Sequence, residues 1–212
     1  MLDKILSLDT QLFRCINSDR SIFKDWFFSL FSAHLTIGVV IIAIFLYVII
    51  KKQFRFWWVY VLVIALCFLL ADRISVVCFK DVFCRLRPSH ALEGVITVKL
   101  KGLSHLIYDN RGGLYGFVSS HAANTFAIIT SMILVLRREK TILFYILLVL
   151  WGILTAVSRV YCGYHYPLDV VCGALLGVIL GAFVYFLYSK AIRWLEGHSR
   201  KKKTNNPSAK HN

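Results

Sequence analysis

Residues 158–169 read Ser-Arg-Val-Tyr-Cys-Gly-Tyr-His-Tyr-Pro-Leu-Asp, a short polar turn between two long apolar segments. The flanking segments, 141–157 and 168–188, have the length and composition that a membrane-spanning helix requires. Pro167 suits the first turn of a helix, because the N–H that proline lacks would have no partner there. The pattern predicts two membrane helices joined by this turn.

The turn carries three ionisable side chains, Arg159, His165 and Asp169. Such groups are costly near a membrane unless they have partners or a function. Asp169 follows His165 by four residues, so its carboxylate can turn back and accept one ring N–H. That bond would fix the tautomer and leave the other nitrogen as a nucleophile or base. Taken alone, the turn fits either a catalytic centre or a topological Arg beside a satisfied interfacial His.

The composition is that of a membrane protein. The 212 residues are 58% hydrophobic and 17% charged, with a mean hydropathy of +0.67, whereas soluble domains are about half apolar and a quarter charged. The length allows one domain or one helical bundle, and we expect no cleavable signal peptide. The six Cys form no C-x-x-C pair, so metal and redox motifs have little support.

The apolar segments predict an all-α, polytopic membrane bundle with about five transmembrane helices, at 34–50, 56–70, 122–136, 141–157 and 168–188. The second is expected to continue as helix to Arg87, which makes it about 45 Å long and longer than the hydrocarbon core. Residues 1–32 predict an N-terminal interfacial helix. Residues 1–196 would form one membrane domain, followed by a basic, disordered cytoplasmic tail at 197–212.

The distribution of charge predicts the orientation. Segments 51–55, 137–140 and 189–212 share one side of the five-span arrangement and hold 13 of the 25 Lys and Arg but 2 of the 11 acids. Basic loops remain in the cytoplasm, so the polar turn would face the outside. The basic tail lacks aromatic interleaving and any nucleic-acid-binding signature, so no nucleic-acid partner is predicted.

Two further clusters fall on the same outer face. Lys80 and Arg87 lie seven residues apart, which would place both cations on one helix face, suited to an anion. Ser119, Ser120 and His121 precede the third span, where free N–H groups at a helix N-terminus favour a phosphate. Each cluster alone also fits helix capping or interfacial snorkelling, but the three together indicate a phosphate site.

The three clusters resemble the tripartite signature of the type 2 phosphatidic acid phosphatase (PAP2) superfamily. The matching pattern is Lys80, six residues, Arg87-Pro88; Ser119-Ser120-His121; and Ser158-Arg159, five residues, His165, three residues, Asp169. The family includes membrane lipid phosphatases and vanadium haloperoxidases. Its middle motif usually reads Pro-Ser-Gly-His, so Val118 and Ser120 depart from the pattern, whereas Ser119 and His121 match it.

The resemblance implies a mechanism without a metal or other cofactor. His165 would attack phosphorus to form a phosphohistidine, Asp169 would orient it, and His121 would protonate the leaving oxygen. The phosphoryl oxygens would be held by Lys80, Arg87, Ser119, Ser120 and Arg159. A bell-shaped pH profile would follow.

The expected substrate is a lipid phosphate in the bilayer of a bacterial inner membrane. Undecaprenyl pyrophosphate is the first choice, followed by lipid A phosphates and then phosphatidylglycerophosphate or phosphatidate. The loop 89–116 is expected to influence the choice of head group. A non-catalytic lipid-phosphate-binding membrane protein is the alternative from another class, and a haloperoxidase is a further one. The oligomeric state is left open.

Two smaller features of the sequence concern helix packing and the cysteines. Gly173, Gly177 and Gly181 recur every four residues, which predicts a close helix contact, either within the chain or in a dimer. Cys84 and Cys162 each lie three residues from a predicted phosphate-binding Arg, and could form a bridge or remain as two buried thiols.

Overall fold

The computed structural model describes residues 1–50, 57–102, 104–137 and 142–204, which are mostly helical. Within these ranges the helices are α1 (Leu2–Ser18), α2 (Ile22–Ser32), α3 (His34–Ile50), α4 (Trp57–Ile74), α5 (Asp81–Phe83), α6 (Pro88–Ala91), α7 (Ser120–Val135), α8 (Ile142–Tyr161) and α9 (Pro167–Thr204). A π-helical segment, Ser75–Lys80, joins α4 to α5. Two short strands, β1 (Val98–Lys101) and β2 (His105–Tyr108), pair antiparallel.

Within the described residues, three helical stretches are long and apolar enough to cross a membrane, namely Trp58–Phe83, Ile142–Tyr161 and Pro167–Leu195. A fourth exists if α2 and α3, which are bent by 58° at Ala33, count as one broken span. Helix α7 is apolar but has 16 residues, fewer than the roughly 20 of a typical span. The chain is therefore a polytopic helical bundle, and the predicted count of five spans is not confirmed.

The contact between α7 and α9 lies at the centre of the bundle. A Cβ placed at Gly173 would lie 2.6 Å from the Ser119 carbonyl oxygen, and one at Gly181 would lie 2.5 Å from the Ala127 carbonyl oxygen. A Cβ at Gly177 would overlap the α7 backbone as well. The two helices pack backbone to backbone, so the predicted small-residue face makes a contact within the chain.

The N-terminal segment differs from the single interfacial helix expected for residues 1–32. It forms α1 and α2, and α2 continues through a bend into α3. Helix α1 buries Asp9, Phe13 and Asn17, while its large aliphatic side chains on the other face are exposed: Leu2, Ile5, Leu6, Leu8 and Leu12. An exposed leucine face of this kind suits a bilayer interface, whereas the buried polar face is directed at the rest of the protein.

The long helix predicted through Arg87 ends earlier, so that prediction was wrong. After the π-helical segment, α5 stops at Phe83, and Cys84 adopts a left-handed conformation with φ of 45°. Arg87 is then extended. A left-handed residue reverses the chain at the end of a helix. Arg87 therefore returns towards Lys80 through this reversal, and the two cations do not lie on one continuous helix.

The connection 89–116 contains regular structure that its composition does not indicate. Helix α6 begins it, and the β1–β2 hairpin follows, with Val98 and Leu100 buried on one side of β1. The Val98 N–H donates to the Cys162 carbonyl oxygen at 3.4 Å. The hairpin therefore packs on the turn that carries His165.

Helix α9 runs to Thr204, so residues 197–204 are helical although the sequence predicts a disordered tail from Gly197 onwards. The rest of that tail, 205–212, lies outside the described residues, as do the basic segments 51–55 and 138–140. The orientation inferred from those charges stays a prediction.

Candidate active site

The turn between α8 and α9 is buried and tightly hydrogen-bonded. The backbone N–H groups of Tyr164 and His165 both donate to the Arg159 carbonyl oxygen, at 3.1 and 3.2 Å. Gly163 has a φ of 81°, and a Cβ there would lie 2.8 Å from the Ile96 carbonyl oxygen. Glycine is thus required by conformation and by space, and the turn holds Arg159 and His165 in a fixed relation.

A cavity of about 270 Å³ opens beside this turn. Six predicted site residues line it: Lys80, Arg87, Ser120, His121, Arg159 and His165. The remaining lining residues were not singled out from the sequence: His34, Ile37, Phe68, Asp72 and Asn124. The three sequence clusters therefore meet at one place.

Three of the lining residues are cations without a carboxylate partner. Among the described residues, Lys80, Arg87 and Arg159 form no ion pair, although Asp72 also faces the cavity. Arg87 Nε donates to the Tyr115 carbonyl oxygen at 3.1 Å, and the Arg159 guanidinium lies 4.5 Å above the Tyr164 ring. Three cations gathered in one cavity repel one another unless an anion lies between them.

His165 is 1% exposed and its Nδ1 lies 3.6 Å from Asp169 Oδ2. That distance is too long for the predicted hydrogen bond, and Nδ1 is buried with no other partner. Catalytic hydrogen bonds are often this loose before substrate binds. Burial, together with the charges of Arg159, Arg87 and Lys80, holds the pKa of the His165 imidazole well below its usual range. His165 is therefore neutral at neutral pH, as a nucleophile must be.

His121 faces the same cavity from the first turn of α7. Its Nε2 is buried without a hydrogen-bond partner. The His34 ring lies 4.8 Å from the His121 ring, centroid to centroid, and comes from the bend between α2 and α3. A buried nitrogen without a partner is directed into a cation-lined cavity, which is where a leaving oxygen would need a proton.

The two serines of the middle motif have different environments. Ser119 is fully buried as the N-cap of α7, where its hydroxyl accepts from the Ala122 N–H at 3.5 Å. It is absent from the cavity lining, so the structure does not place it with the other residues predicted to bind phosphate. Ser120 lines the cavity, accepts from Lys80 Nζ at 2.6 Å and shares a hydrogen bond of 2.7 Å with Ser75 of the π-helical segment.

Asp169 is held by Arg85, which is not among the predicted site residues. Arg85 Nη1 donates to Asp169 Oδ1 at 2.6 Å, and Arg85 Nη2 donates to Asp9 Oδ2 at 2.7 Å. Burial alone would lower the pKa of the Arg85 guanidinium, but the carboxylates of Asp169 and Asp9 outweigh it and raise the pKa. A signal was present in α1, because Asp9, Phe13 and Asn17 recur every four residues on one face.

A second chamber of about 490 Å³ adjoins the cavity and shares His34, Arg87, His121 and Arg159 with it. Its other polar lining residues come from α2, the hairpin, the loop after it and the catalytic turn: Ser29, Ser32, Lys99, Asn110 and Tyr164. The Tyr164 hydroxyl is buried without a partner. The combined space is large enough for a phosphate together with part of the molecule that carries it.

The described residues contain neither a disulfide nor a cluster of side chains placed to bind a metal ion. All six Cys are free, with Cys84 exposed and Cys162 buried, so neither a bridge nor a pair of buried thiols is present. Across the described ranges, no group of three or more His, Cys, Asp or Glu side chains is placed to hold a metal ion. The cavity instead offers a neutral imidazole, a second imidazole and three cations, an arrangement suited to phosphoryl transfer.

The whole signature lies inside a region that matches the PAP2 superfamily, residues 64–193. The chain belongs to the PAP2 superfamily. The family match, together with the lipid phosphatase relatives given next, shows that it is a phosphatase, and the expected family and enzyme class are confirmed.

The chain is similar to PAP2 proteins along most of its length. A lipid A 4'-phosphatase of Bacteroides thetaiotaomicron is 34% identical over 194 residues, which cover 90% of this chain and 81% of that protein. An undecaprenyl-diphosphatase of Bacillus subtilis is 36% identical over 77 residues, which cover 36% of this chain and 37% of that protein. The crystal structure of Aquifex aeolicus LpxE matches with a TM-score of 0.61 at 30% identity, covering 84% of this chain and 94% of the other.

The departure from the PAP2 middle motif has a structural counterpart in this chain. Where the PAP2 pattern usually has glycine, the hydroxyl of Ser120 bonds both Lys80 and Ser75. Ser75 belongs to the π-helical segment, a local form that often occurs at functional sites. Ser120 thus ties a cation of the first motif to the start of α7.

Proposed function

We propose that this PAP2 protein removes a phosphate group from a lipid A-type glycolipid at the outer face of the bacterial inner membrane. The observation that carries the proposal is the cavity in which a neutral His165, His121 and three unpaired cations meet. The glycolipid substrate is supported by the lipid A 4'-phosphatase relative, whose similarity extends over nearly all of this chain.

The reaction would proceed in two steps. His165 Nε2 attacks phosphorus, the phosphorus–oxygen bond to the lipid breaks, and His121 gives its proton to the leaving oxygen. The charge of Arg159, together with burial, holds the pKa of the His121 imidazole well below its usual range before substrate binds. The negative charge of the bound phosphate raises that pKa, so that His121 can carry the proton it donates. Water then attacks phosphorus, His121 takes a proton from that water, and the phosphorus–nitrogen bond breaks to release inorganic phosphate. Lys80, Arg87 and Arg159 would neutralise the charge on the phosphoryl oxygens in both steps.

The position of Asp169 supports attack through Nε2. Its Oδ2 lies on the Nδ1 side of the ring, so a small rotation would let Nδ1–H donate to it and leave the Nε2 lone pair free. The second chamber supports a bulky, polar head group, since hydroxyl, amide and ammonium groups line the space beyond the phosphate cavity.

Undecaprenyl pyrophosphate, the first choice from the sequence, is unconfirmed. Its support is the local similarity to the Bacillus subtilis undecaprenyl-diphosphatase over 77 residues. It is the second candidate, and a diphosphate would place its second phosphoryl group near Lys99 or His34 in the adjoining chamber.

A substrate panel tests the proposal. Purified protein in detergent is given lipid A bearing phosphates, undecaprenyl pyrophosphate, phosphatidylglycerophosphate and phosphatidate, and released inorganic phosphate is measured, with the His165→Ala variant as the blank. We expect lipid A to give the highest kcat/KM. A higher kcat/KM for undecaprenyl pyrophosphate would favour the second candidate, and no release from any of them would refute the phosphatase mechanism.

A further inference from the structure

The Asp169 carboxylate is clamped on both oxygens. Arg85 donates to its Oδ1 at 2.6 Å, and the Tyr166 backbone N–H donates to its Oδ2 at 3.0 Å. Asp169 is fully buried, so water cannot supply either bond. Only Oδ2 faces His165. The orientation of the carboxylate therefore depends on the hydrogen bond that Arg85 donates to Oδ1.

Arg85 is itself held from the other side by Asp9. The two charged groups lie 2.7 Å apart, and the guanidinium stacks 4.2 Å above the Tyr166 ring. That ring packs edge-on against Phe13 of α1, with centroids 5.5 Å apart. The guanidinium therefore has a carboxylate at each end and a ring beneath it, which leaves it a single orientation.

Asp9 also holds the backbone of the catalytic turn. Its Oδ1 accepts from the Leu168 N–H at 2.8 Å, at the start of α9. The Asp9 carboxylate thus holds both Leu168, the residue before Asp169, and Arg85, the cation that donates to Asp169. Asp9 is 5% exposed and does not line the substrate cavity.

We propose that Asp9 and Arg85 are positioning residues for the catalytic pair, which set the carboxylate of Asp169 so that Oδ2 meets His165 Nδ1 when substrate binds. The proposal rests on the proposed role of His165 as nucleophile. In Asp9→Asn, an amide N–H would face either the Leu168 N–H or the Arg85 guanidinium, and both are donors. Arg85 would then lose one of its two carboxylate partners, move towards the other, Asp169, and rotate that carboxylate.

The Asp9→Asn variant separates positioning from binding. The cavity cations are untouched, so the inhibition constant of inorganic phosphate should stay unchanged. A displacement of the catalytic pair by a fraction of an ångström should lower kcat roughly 10- to 100-fold. Arg85→Lys keeps the charge but loses the two-ended fork, and we expect a loss of similar size.

Asp25→Asn is the matched control, because Asp25 is equally buried at 5%. It accepts from the Tyr161 and Tyr108 hydroxyls at 2.7 and 2.9 Å and pairs with Arg20, and none of these contacts reaches Asp169. Asp25→Asn should therefore lower the melting temperature while leaving kcat per folded molecule close to that of the wild type.

The experiment measures three quantities for each variant in detergent: the melting temperature, kcat per folded molecule for a lipid phosphate monoester, and the inhibition constant of phosphate. A fall in kcat for Asp9→Asn but not for Asp25→Asn, with unchanged phosphate inhibition, supports the positioning role. Equal kcat for the two variants overturns it. His165→Ala is measured in parallel, since activity in that variant would instead refute the proposed function.

Discussion

Substituting Gly173 by alanine should force α9 away from α7 at the catalytic end of their contact. The new Cβ would lie 2.6 Å from the Ser119 carbonyl oxygen and 3.2 Å from the Ser119 nitrogen. An ordinary contact begins near 3.4 Å, so the helices must separate by about 0.8 Å. Both neighbours are backbone atoms of a helix start, so neither can rotate away as a side chain could.

The expected penalty follows from that displacement. Overpacking a well-filled contact costs about 1–3 kcal/mol, or roughly 2–12 °C of melting temperature at about 2–4 °C per kcal/mol for a chain of this size. Ser119 lies two residues before His121, and Gly173 four residues after Asp169. A shift approaching 1 Å between catalytic groups can lower kcat by about 100-fold. We therefore expect Gly173→Ala to lower kcat by roughly 10- to 100-fold.

The assay compares Gly173→Ala with Gly38→Ala in detergent, by thermal melting and by initial rates of phosphate release. Gly38 lies in α3, and a Cβ there meets no atom within 4 Å. Alanine in an open helical position should be neutral or stabilising by about 0.5–1 kcal/mol. If Gly173→Ala melts at the same temperature as Gly38→Ala and keeps full activity, the close backbone packing inferred here is wrong.

Three further outcomes are expected. His165→Ala should abolish turnover while leaving the melting temperature nearly unchanged, and Asp169→Asn should lower kcat severely; near-normal turnover by the alanine variant, measured as phosphate release, would exclude His165 as the nucleophile. Because the pKa of His165 is lowered, its neutral form persists as the pH falls. The acid limb of kcat/KM should therefore lie below about pH 6.5, the ordinary histidine pKa. An acid limb above that pH would contradict the role of His165 as the nucleophile. Ser104 is exposed in the same loop as the buried Ser89, so a single Cys at Ser104 in a Cys-free background should react with a membrane-impermeant thiol reagent in intact cells. A Cys at Thr204 should react only after the membrane is opened, and the reverse pattern would overturn the orientation.

The sequence predicted which residues meet at the cavity better than it predicted how they are held there. Spacing and residue type were enough to bring Lys80, His121, Arg159 and His165 to one cavity, because each lies at or near the end of a long apolar segment. The start of α9 at Pro167 was also predicted, since proline marks a helix N-terminus.

What the sequence could not supply depends on contacts between distant parts of the chain. Arg85 was one cation among several in its segment, and nothing local distinguishes it from Lys80 or Arg87. Its importance arises from Asp9, 76 residues away. The helix was expected to continue to Arg87 because periodicity alone does not reveal a π-helical turn or the left-handed Cys84. Ser119 was assigned to phosphate by its motif, whereas its hydroxyl caps α7.

The inward polar face of α1 has a consequence for how this protein can be divided or recombined. The region that matches the PAP2 superfamily begins at residue 64, so Asp9 and Asn17 belong to a segment that precedes it. Asn17 donates to the carbonyl oxygens of Tyr161 and Ile96 at 2.8 and 2.9 Å, at the base of the catalytic turn. A chain cut at the family boundary would keep every motif residue and lose the scaffold of the turn. A chimera that joins the N-terminal segment of one relative to the remainder of another would take its motif residues from one parent. The α1 side chains that hold the turn in position would come from the other parent.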